Sequence, residues 1–238
     1  MVTQKTAIVT GAQQGIGAGI VEGFLESGYN VVATSLNASK TLTATADLAV
    51  VDGDIRDRET ASESVKAAMT HFGSIDVLVN NAGIYLTKPF TEFTTEDFNT
   101  VVSVNLLGFL HMTQLAVNQM LKQGSGCVIT ISASLADNPI AGVNASVPMM
   151  TKGGLNTVTR HLAIEYAKQG IRFNAVAPGV VDTSLHQENP KDHLITRQPM
   201  GSIAEISDIA NAVLYLANAR QVTGEVLHVD GGAHSGRW

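Results

Sequence analysis

The chain has 238 residues, of which 45% are apolar and 15% charged, and its formal net charge is −6. This composition predicts a globular α/β protein, and the absence of any Lys- or Arg-rich run argues against nucleic acid and membrane partners. Cys127 is the only cysteine, so no intrachain disulfide can form. Because neither a signal-peptide stretch nor a membrane-length apolar run is expected, the sequence favours a cytoplasmic protein.

Short apolar runs typical of buried strands alternate along the chain with longer segments of helical spacing. The predicted strands are 6–10, 30–34, 48–53, 76–80, 127–132, 172–177 and 225–229. The predicted helices are near 15–28, 57–72, 95–122, 149–169 and 207–217. This alternation predicts one Rossmann-like α/β domain over residues 1–238, a doubly wound parallel sheet of about seven strands with helices on both faces. The least regular stretch, about 182–205, is predicted to be an excursion near the ligand edge of the sheet.

Residues 10–17 read Thr-Gly-Ala-Gln-Gln-Gly-Ile-Gly, between the first predicted strand and the first predicted helix. Gly11 lets the chain turn tightly off the strand, Gly15 lets the backbone lie close to a pyrophosphate, and Gly17 allows close helix–strand packing. The N–H groups that begin the helix then face an anion. The sequence therefore predicts a dinucleotide site with contacts from Gly11, Gln13, Gln14, Gly15, Ile16 and Gly17.

Four further segments accompany this glycine turn. They are Asn80-Asn81-Ala82-Gly83 after the fourth strand, Asn105 in Asn-Leu-Leu-Gly, Pro178-Gly179-Val180-Val181-Asp182-Thr183 after the sixth strand, and Val229-Asp230-Gly231-Gly232 after the last. In this order they resemble the short-chain dehydrogenase/reductase family along the whole chain. The resemblance implies an NAD(P) cofactor and a small carbonyl or alcohol substrate. It also implies a homo-oligomer, a dimer or a tetramer, paired through the helices near 95–122 and 149–169, which carry apolar residues beyond one core-facing stripe.

Three strand ends offer further cofactor contacts, each with an ordinary structural alternative. The turn after the fourth strand brings backbone close to the cofactor, or simply ends the strand. Asp54 accepts from the adenine amino group with Ile55 against the ring, or it caps the helix that begins near residue 57. The loop after the sixth strand reaches the nicotinamide carboxamide, or is a plain loop. The predicted contacts are Asp54, Ile55, Asn81, Ala82, Gly83, Pro178, Gly179, Val181 and Thr183.

The catalytic pair of the family, Tyr-x-x-x-Lys on one helix, is only half present. Residues 148–152 read Pro-Met-Met-Thr-Lys, so Lys152 matches the pattern and also holds the nicotinamide ribose, whereas Pro148 stands at the tyrosine position. Proline cannot exchange a proton through its side chain, but it suits the first turn of a helix, with Ser146 as the cap. Tyr85 is the only tyrosine predicted near the site. It is a replacement acid or, as we favour, a packing or substrate-loop residue.

The resemblance also implies a serine and an asparagine beside Lys152. The Leu-Ala that follows it favours Ser134 over Ser132 as the carbonyl-binding serine, whereas counting along the strand puts Ala133 at that position. Asn105, Ser134 and Lys152 are predicted to hold a water. That water or the substrate itself then carries the proton that a tyrosine would otherwise supply.

The end of the second strand bears on the choice of cofactor. An acidic residue there selects NAD by bonding the ribose 2′-hydroxyl, and none occurs before Asp47. Ser35 and Asn37, on either side of Leu36, can bond a 2′-phosphate that Lys40 also reaches, although no Arg is present there to grip it bidentately. The sequence therefore favours NADP over NAD, with contacts from Ser35, Leu36 and Asn37.

Two classes of function remain open at this point. The chain is an enzyme that transfers hydride between a nicotinamide and a carbonyl or alcohol carbon, or it is a module that binds NAD(P) without turnover, as a sensor or an inert partner. The seven histidines show no metal-ligand spacing, so no metal is predicted. His186 and His193, in the excursion, either meet the substrate or, as we favour, are solvated loop residues.

Overall fold

The computed structural model describes residues 4–186, 190–196 and 198–236. Seven strands form one parallel sheet in the order β3-β2-β1-β4-β5-β6-β7. They are β1 Thr6–Thr10, β2 Asn30–Ser35, β3 Leu48–Asp52, β4 Val77–Asn80, β5 Gly126–Ile131, β6 Ile171–Pro178 and β7 Val226–Val229. The predicted doubly wound sheet is confirmed, and the strand order reverses between β1 and β4.

Helices connect the strands and cover the sheet. They are α1 Gly15–Glu26, α2 Arg58–His71, α3 Thr95–Val102, α4 Gly108–Gln123, α5 Ser146–Tyr166, α6 Lys191–Ile195 and α7 Ile206–Asn218. The helix predicted near 95–122 is present as α3 and α4, which a π-helical turn at Ser103–Leu107 joins. Turns of this kind often mark functional positions because they displace the residues they contain from the regular helical path.

Successive residues of the strands pack against opposite layers of helices. In β1, Ala7 and Val9 lie in one buried cluster with α1 and α7, whereas Ile8 lies in a second cluster with α2, α4 and α5. This two-residue alternation follows from the pleat of a strand. Both faces of the sheet are thus covered, as its nearly continuous apolar strands require.

The helical run Thr95–Gln123, formed by α3, the π-helical turn and α4, is 29 residues long. By length and composition alone this run is long and apolar enough to cross a membrane. The expectation that no apolar run reaches that length is therefore wrong for these residues. Met112, Ala116 and Met120 are buried at helical spacing, and Gln114 and Asn118 are exposed on the same helix. This amphipathic pattern is that of a helix packed on a core.

Helix α5 begins earlier than predicted, at Ser146, with Ala145 at the N-cap position. The prediction that Ser146 caps this helix is therefore wrong. Pro148 lies buried in the first turn, as expected, because the N–H groups of a first turn have no partner within the helix and a missing one costs little.

Candidate active site

A cavity of about 630 Å³ follows the carboxyl ends of the strands, a volume usual for small-molecule sites. It includes the loops after β1 and β4, where the strand order reverses and ligands of such sheets bind. Asn37 and Asn105 are the two predicted site residues that do not line it. The predicted residues that line it are Gly11, Gln13, Gln14, Gly15, Ile16, Gly17, Ser35, Leu36, Asp54, Ile55, Asn81, Ala82, Gly83, Ser134, Lys152, Pro178, Gly179, Val181 and Thr183.

Gly15 and Gly17, after β1, are glycines for different structural reasons. A Cβ on Gly17 would lie 2.1 Å from the carbonyl oxygen of Gly11, so the close packing that the sequence assigned to Gly17 is present. Gly15 has a φ of +54°, and a Cβ there would meet only the Thr183 side chain, at 3.6 Å. Gly17 is therefore required by the fold, whereas the space beside Gly15 lies open toward the cavity between the loops after β1 and β6.

The N-terminus of α1 is suited to an anion. The helix begins at Gly15, the side chain of the N-cap residue Gln14 makes no capping hydrogen bond, and the first turn has no acidic residue. The first N–H groups of any helix lack partners within the helix and carry the positive end of its dipole. Because the cavity runs past this helix start, the residues present fit the pyrophosphate of a dinucleotide.

Asn81 ties the loop after β4 to the glycine turn. Its Nδ2 donates to the carbonyl oxygens of Thr10, at 2.8 Å, and Gly11, at 3.1 Å. The backbone N–H groups of Asn81 and Ala82 both donate to the Thr10 hydroxyl, at 3.0 Å. Asn81 lines the cavity, and its carboxamide also fixes the glycine turn after β1 through these hydrogen bonds.

At the end of β3, Asp54 lines the cavity together with Arg56, which the sequence analysis missed. The guanidinium of Arg56 donates to both carboxylate oxygens of Asp54, the shortest bond being 2.6 Å, and this pair lowers the pKa of Asp54. The alternative in which Asp54 caps α2 is wrong, because Asp57 holds the N-cap position and Asp54 Oδ1 accepts the Arg56 N–H instead. The Asp-x-Arg spacing was the signal available for this pair.

The loop after β2 differs in part from its prediction. Ser35 and Leu36 line the cavity, but Asn37 is exposed, and its N–H donates to Gln13 Oε1 at 3.2 Å. Asp52, in register with Ser35 on the neighbouring strand, accepts bonds from the N–H and hydroxyl of Ser39. This loop is thus held by hydrogen bonds to the turn after β1 and to β3, with Asn37 outside the cavity lining.

Lys152 is the one charged side chain at the end of β5 among the described cavity residues. Its Nζ donates to the carbonyl oxygen of Ile131 at 2.7 Å, and burial lowers its pKa to about 8. Ser132 and Ser134 are both buried and both line the cavity. The Ser132 hydroxyl donates to the Lys152 carbonyl at 3.4 Å, a weak bond. Ser132 thus contacts Lys152, and the preference for Ser134 stays a prediction.

Asn105 lies behind the cavity wall, in the π-helical turn, and is buried. Its Oδ1 accepts the Ile84 N–H at 2.8 Å, and its Nδ2 donates to the Ile84 carbonyl at 3.1 Å and to the Thr151 hydroxyl at 3.0 Å. With these three bonds the carboxamide has little capacity left for a ligand. The Asn105 side chain thus fixes the wall behind Lys152, and its predicted part in holding a water stays a prediction.

In the segment before Lys152, it is Met149 and not Pro148 that lines the cavity. Pro148 is buried and is not among the described residues that line the cavity, whereas Met149 beside it is. Tyr85 lines the same cavity, as predicted for the one tyrosine near the site. Neither proline nor methionine can exchange a proton, so among the described lining residues it is Tyr85 and Lys152 that carry ionisable groups at this end of the cavity.

The excursion after β6 contributes to the cavity through Leu185, Leu194 and Gln198. His193 is exposed and is not among the described lining residues, but it lies in α6, so its interpretation as a loop residue is wrong. The side chain of His186 falls outside the described part of the chain. Among the described residues, no group of His, Cys, Asp and Glu could hold a metal ion.

A parallel sheet with a glycine turn, an uncapped helix N-terminus and a cavity at its switch point defines a dinucleotide-binding α/β protein. A family model described as enoyl-(acyl carrier protein) reductase matches residues 11–234. The 3α-hydroxysteroid dehydrogenase of Mediterraneibacter gnavus is 35% identical over 252 residues, which cover 99% of each chain.

Two solved structures are similar over nearly the whole chain. The 3-ketoacyl-(acyl-carrier-protein) reductase of Brucella melitensis, in complex with NADH, has a TM-score of 0.91 and 30% identity over 97% of this chain and 98% of its own. A protein named ElxO, with NADP bound, also has a TM-score of 0.91 and 30% identity, over 98% of this chain and 100% of its own. The chain therefore belongs to the short-chain dehydrogenase/reductase family of NAD(P)-dependent oxidoreductases.

Proposed function

We propose that this chain transfers hydride between a nicotinamide dinucleotide and the carbon of a carbonyl or alcohol group. The observation that carries the proposal is one continuous cavity that joins the phosphate turn at α1 to Lys152 and Ser134 at the end of β5. The dinucleotide, when bound, supplies the hydride acceptor or donor. Lys152 would hold the ribose and polarise the site, and Ser134 would donate a hydrogen bond to the carbonyl oxygen.

The site we propose is atypical, because no phenol stands four residues before Lys152. Pro148 occupies that position, and residues four apart share a helix face. We propose that a water held by Ser134 and Lys152, or the substrate itself, carries the proton, with Asn105 fixing the wall behind them. Losing a general acid costs about 10²–10⁴-fold in rate, so we expect slow but measurable turnover.

We propose NADP as the preferred cofactor. Ser35 and Leu36 line the cavity beyond the second strand, and no acidic side chain of that loop is among the described lining residues. Asp52, the nearest carboxylate in register, is engaged by Ser39. Solved relatives hold NADP and NADH, so the two cofactors are compared directly in the experiment below.

The experiment is a set of carbonyl compounds assayed with NADPH and with NADH, using the purified full chain and the Lys152→Ala variant. We expect slow oxidation of the reduced dinucleotide by the wild type and at least a tenfold loss in the variant. Calorimetric titration of each dinucleotide accompanies the assay. Absence of binding of any dinucleotide up to millimolar concentration would contradict the proposal.

A second candidate function is favoured by Pro148 itself. A chain that keeps the dinucleotide cavity but has no phenol four residues before Lys152 is suited to bind NAD(P) as a sensor or as an inert partner of active relatives. Dinucleotide binding without turnover of any carbonyl would support this candidate over the enzyme.

We also propose a cytoplasmic homo-oligomer built through α4 and α5. Apolar side chains are exposed on both helices, among them Leu110 on α4 and Ile164 on α5, the latter 80% exposed. Closed symmetric pairing buries such surfaces. Light scattering should give a dimer or tetramer mass, and Ile164→Glu should lower it. Tyr215→Glu, on the exposed surface of α7, is the matched control and should leave the mass unchanged.

A further inference from the structure

The cavity has two chemically different halves. Beside the carboxyl ends of β2 and β3, the cavity is lined by the oppositely charged side chains of Asp54 and Arg56. Beyond the ends of β5 and β6, Lys152 is the only charged side chain among the described lining residues. The two halves are therefore suited to different parts of a bound complex, and the second one is left for the substrate.

Apolar side chains from four separate segments line this second half. We call them the far wall: Val104 of the π-helical turn, Ile140 and Val143 of the β5–α5 connection, Met149 of α5, and Leu185 and Leu194 of the segment after β6. Leu185 is 59% exposed although it is apolar and lies at the cavity. Because the members come from segments that are distant in sequence, the apolar character belongs to the cavity and not to one local run.

One group of polar side chains stands at the carboxyl end of β5, and further polar lining residues of this half carry no formal charge: Tyr85, Thr100, Asn138, Ser184 and Gln198. Ser132, Ser134 and Lys152 lie together at the carboxyl end of β5, where a carbonyl oxygen can accept hydrogen bonds. Apart from Lys152 at the β5 end, the described lining residues of this half include no cation, so a carboxylate or phosphate placed against the far wall would lose its hydration without a charged partner among them.

We infer that the substrate is an uncharged ketone, or the matching secondary alcohol, whose carbonyl group is flanked by an apolar chain or ring that packs on the far wall. The inference rests on the proposed hydride transfer. In the reductive direction the carbonyl carbon accepts hydride from the reduced nicotinamide and the oxygen accepts a proton, so the ketone becomes an alcohol as the dinucleotide is oxidised. Burial of apolar surface then provides affinity and the β5 end provides orientation.

The first test is a homologous series of ketones: 2-butanone, 2-hexanone and 2-octanone, with 7-oxooctanoate as the charged counterpart of 2-octanone. We expect kcat/KM to rise about fourfold for each added methylene, the factor that burial of one methylene supplies. We expect 2-octanone to exceed 7-oxooctanoate by at least about tenfold. A flat series, or a preference for the acid, would overturn the inference and leave the proposed function standing.

A charge swap in the far wall makes the test specific. Val143→Lys gives the carboxylate of 7-oxooctanoate a partner, so the ratio of kcat/KM for the acid to that for 2-octanone should rise by at least about tenfold. Val143→Met, of similar length but uncharged, is the matched control and should leave the ratio near its wild-type value. An equal ratio in the two variants would show that the substrate does not pack on this wall.

A binding measurement separates this inference from the proposed function. Titration of 2-octanol into the NADP-loaded chain should give a negative heat-capacity change, the signature of apolar burial. Such binding without turnover of any ketone would contradict the proposed function and leave the ligand class supported. If 2-octanol does not bind, the inference is wrong.

Discussion

Asn105 Nδ2 donates a hydrogen bond of 3.0 Å to the Thr151 hydroxyl, between the π-helical turn and the first turns of α5. The same hydroxyl donates to the Pro148 carbonyl at 2.7 Å. The bonds of Asn105 to Ile84 extend this chain to the loop after β4. The buried carboxamide of Asn105 thus links three segments around Lys152: the π-helical turn, the start of α5 and the loop after β4.

Asn105→Ala should lower the free energy of unfolding by about 2–4 kcal/mol, because it removes two bonds to the half-buried backbone of Ile84 and one to the buried Thr151 hydroxyl. Urea denaturation measures the loss. Asn118→Ala, exposed on α4, is the matched control and should change stability by no more than about 0.5 kcal/mol. Similar losses in the two variants would contradict the positioning role.

Stability should depend on pH through Lys152. Burial lowers the pKa of its ammonium from 10.5 to about 8 in the folded chain, so between pH 8 and 10.5 the unfolded chain binds more protons. The free energy of unfolding therefore rises with pH across this window, by an amount of the order of 1–3 kcal/mol. Urea denaturation at pH 7, 8, 9 and 10 measures the free energy of unfolding, and Lys152→Met should remove its rise with pH. Lys66→Met, exposed on α2, should retain it, and an unchanged profile in Lys152→Met would count against the assignment.

The sheet and the phosphate turn were predictable because their signals are local. Apolar runs and glycine spacing are set by neighbours in sequence, so the strands were found to within one residue at each end, and the glycine turn was found whole. Gly17 illustrates this, since the contact that excludes its Cβ is with Gly11 of the same turn.

The features that could not be predicted from the sequence depend on contacts between segments that are distant along the chain. The π-helical turn moves Asn105 behind the wall, and no residue pattern along 95–122 predicts that turn. Arg56 follows the third strand, whereas the contacts to a 2′-phosphate were predicted only in the loop after the second strand. The position of Asn37 outside the cavity lining depends on a contact to Gln13 and on bonds between Ser39 and Asp52, which only the folded chain brings together.

Two neighbouring glycines of the turn after β1 should respond differently to alanine. Gly17→Ala places a Cβ 2.1 Å from backbone and should destabilise the fold by several kcal/mol, of the order seen for overpacked cores. Gly15→Ala has room for its Cβ, so it should cost only about 1–2 kcal/mol for its positive φ while weakening dinucleotide binding at least tenfold. Gly153→Ala, with no atom within 4 Å, should be neutral or stabilise α5 by roughly 1 kcal/mol. Unchanged affinity in Gly15→Ala would contradict the placement of the pyrophosphate.

Ser35→Asp should reverse the cofactor preference. Ser35 lines the cavity at the end of β2, and a carboxylate there repels a 2′-phosphate and accepts from a 2′-hydroxyl. We expect the dissociation constant for NADP to rise at least tenfold while that for NAD falls, both measured by calorimetry at one salt concentration. Ser35→Asn, uncharged and of similar size, is the control and should retain the wild-type order. A wild-type preference for NAD would refute the proposed cofactor directly.

Turnover should not depend on a tyrosine phenol, and three variants together test this. Tyr85→Phe keeps the ring that lines the cavity and removes only the hydroxyl, so we expect kcat to change by less than about threefold. Lys152→Ala removes the charge at the end of β5 and should cost at least tenfold. Pro148→Tyr restores a phenol four residues before Lys152, on the same helix face, and should raise kcat by up to about 10²-fold, with a new pH dependence from the phenol. Thermal melting identifies any variant that does not fold, because Pro148 is buried. Complete loss of turnover in Tyr85→Phe, with dinucleotide binding intact, would make Tyr85 the acid and refute the water-mediated proton transfer.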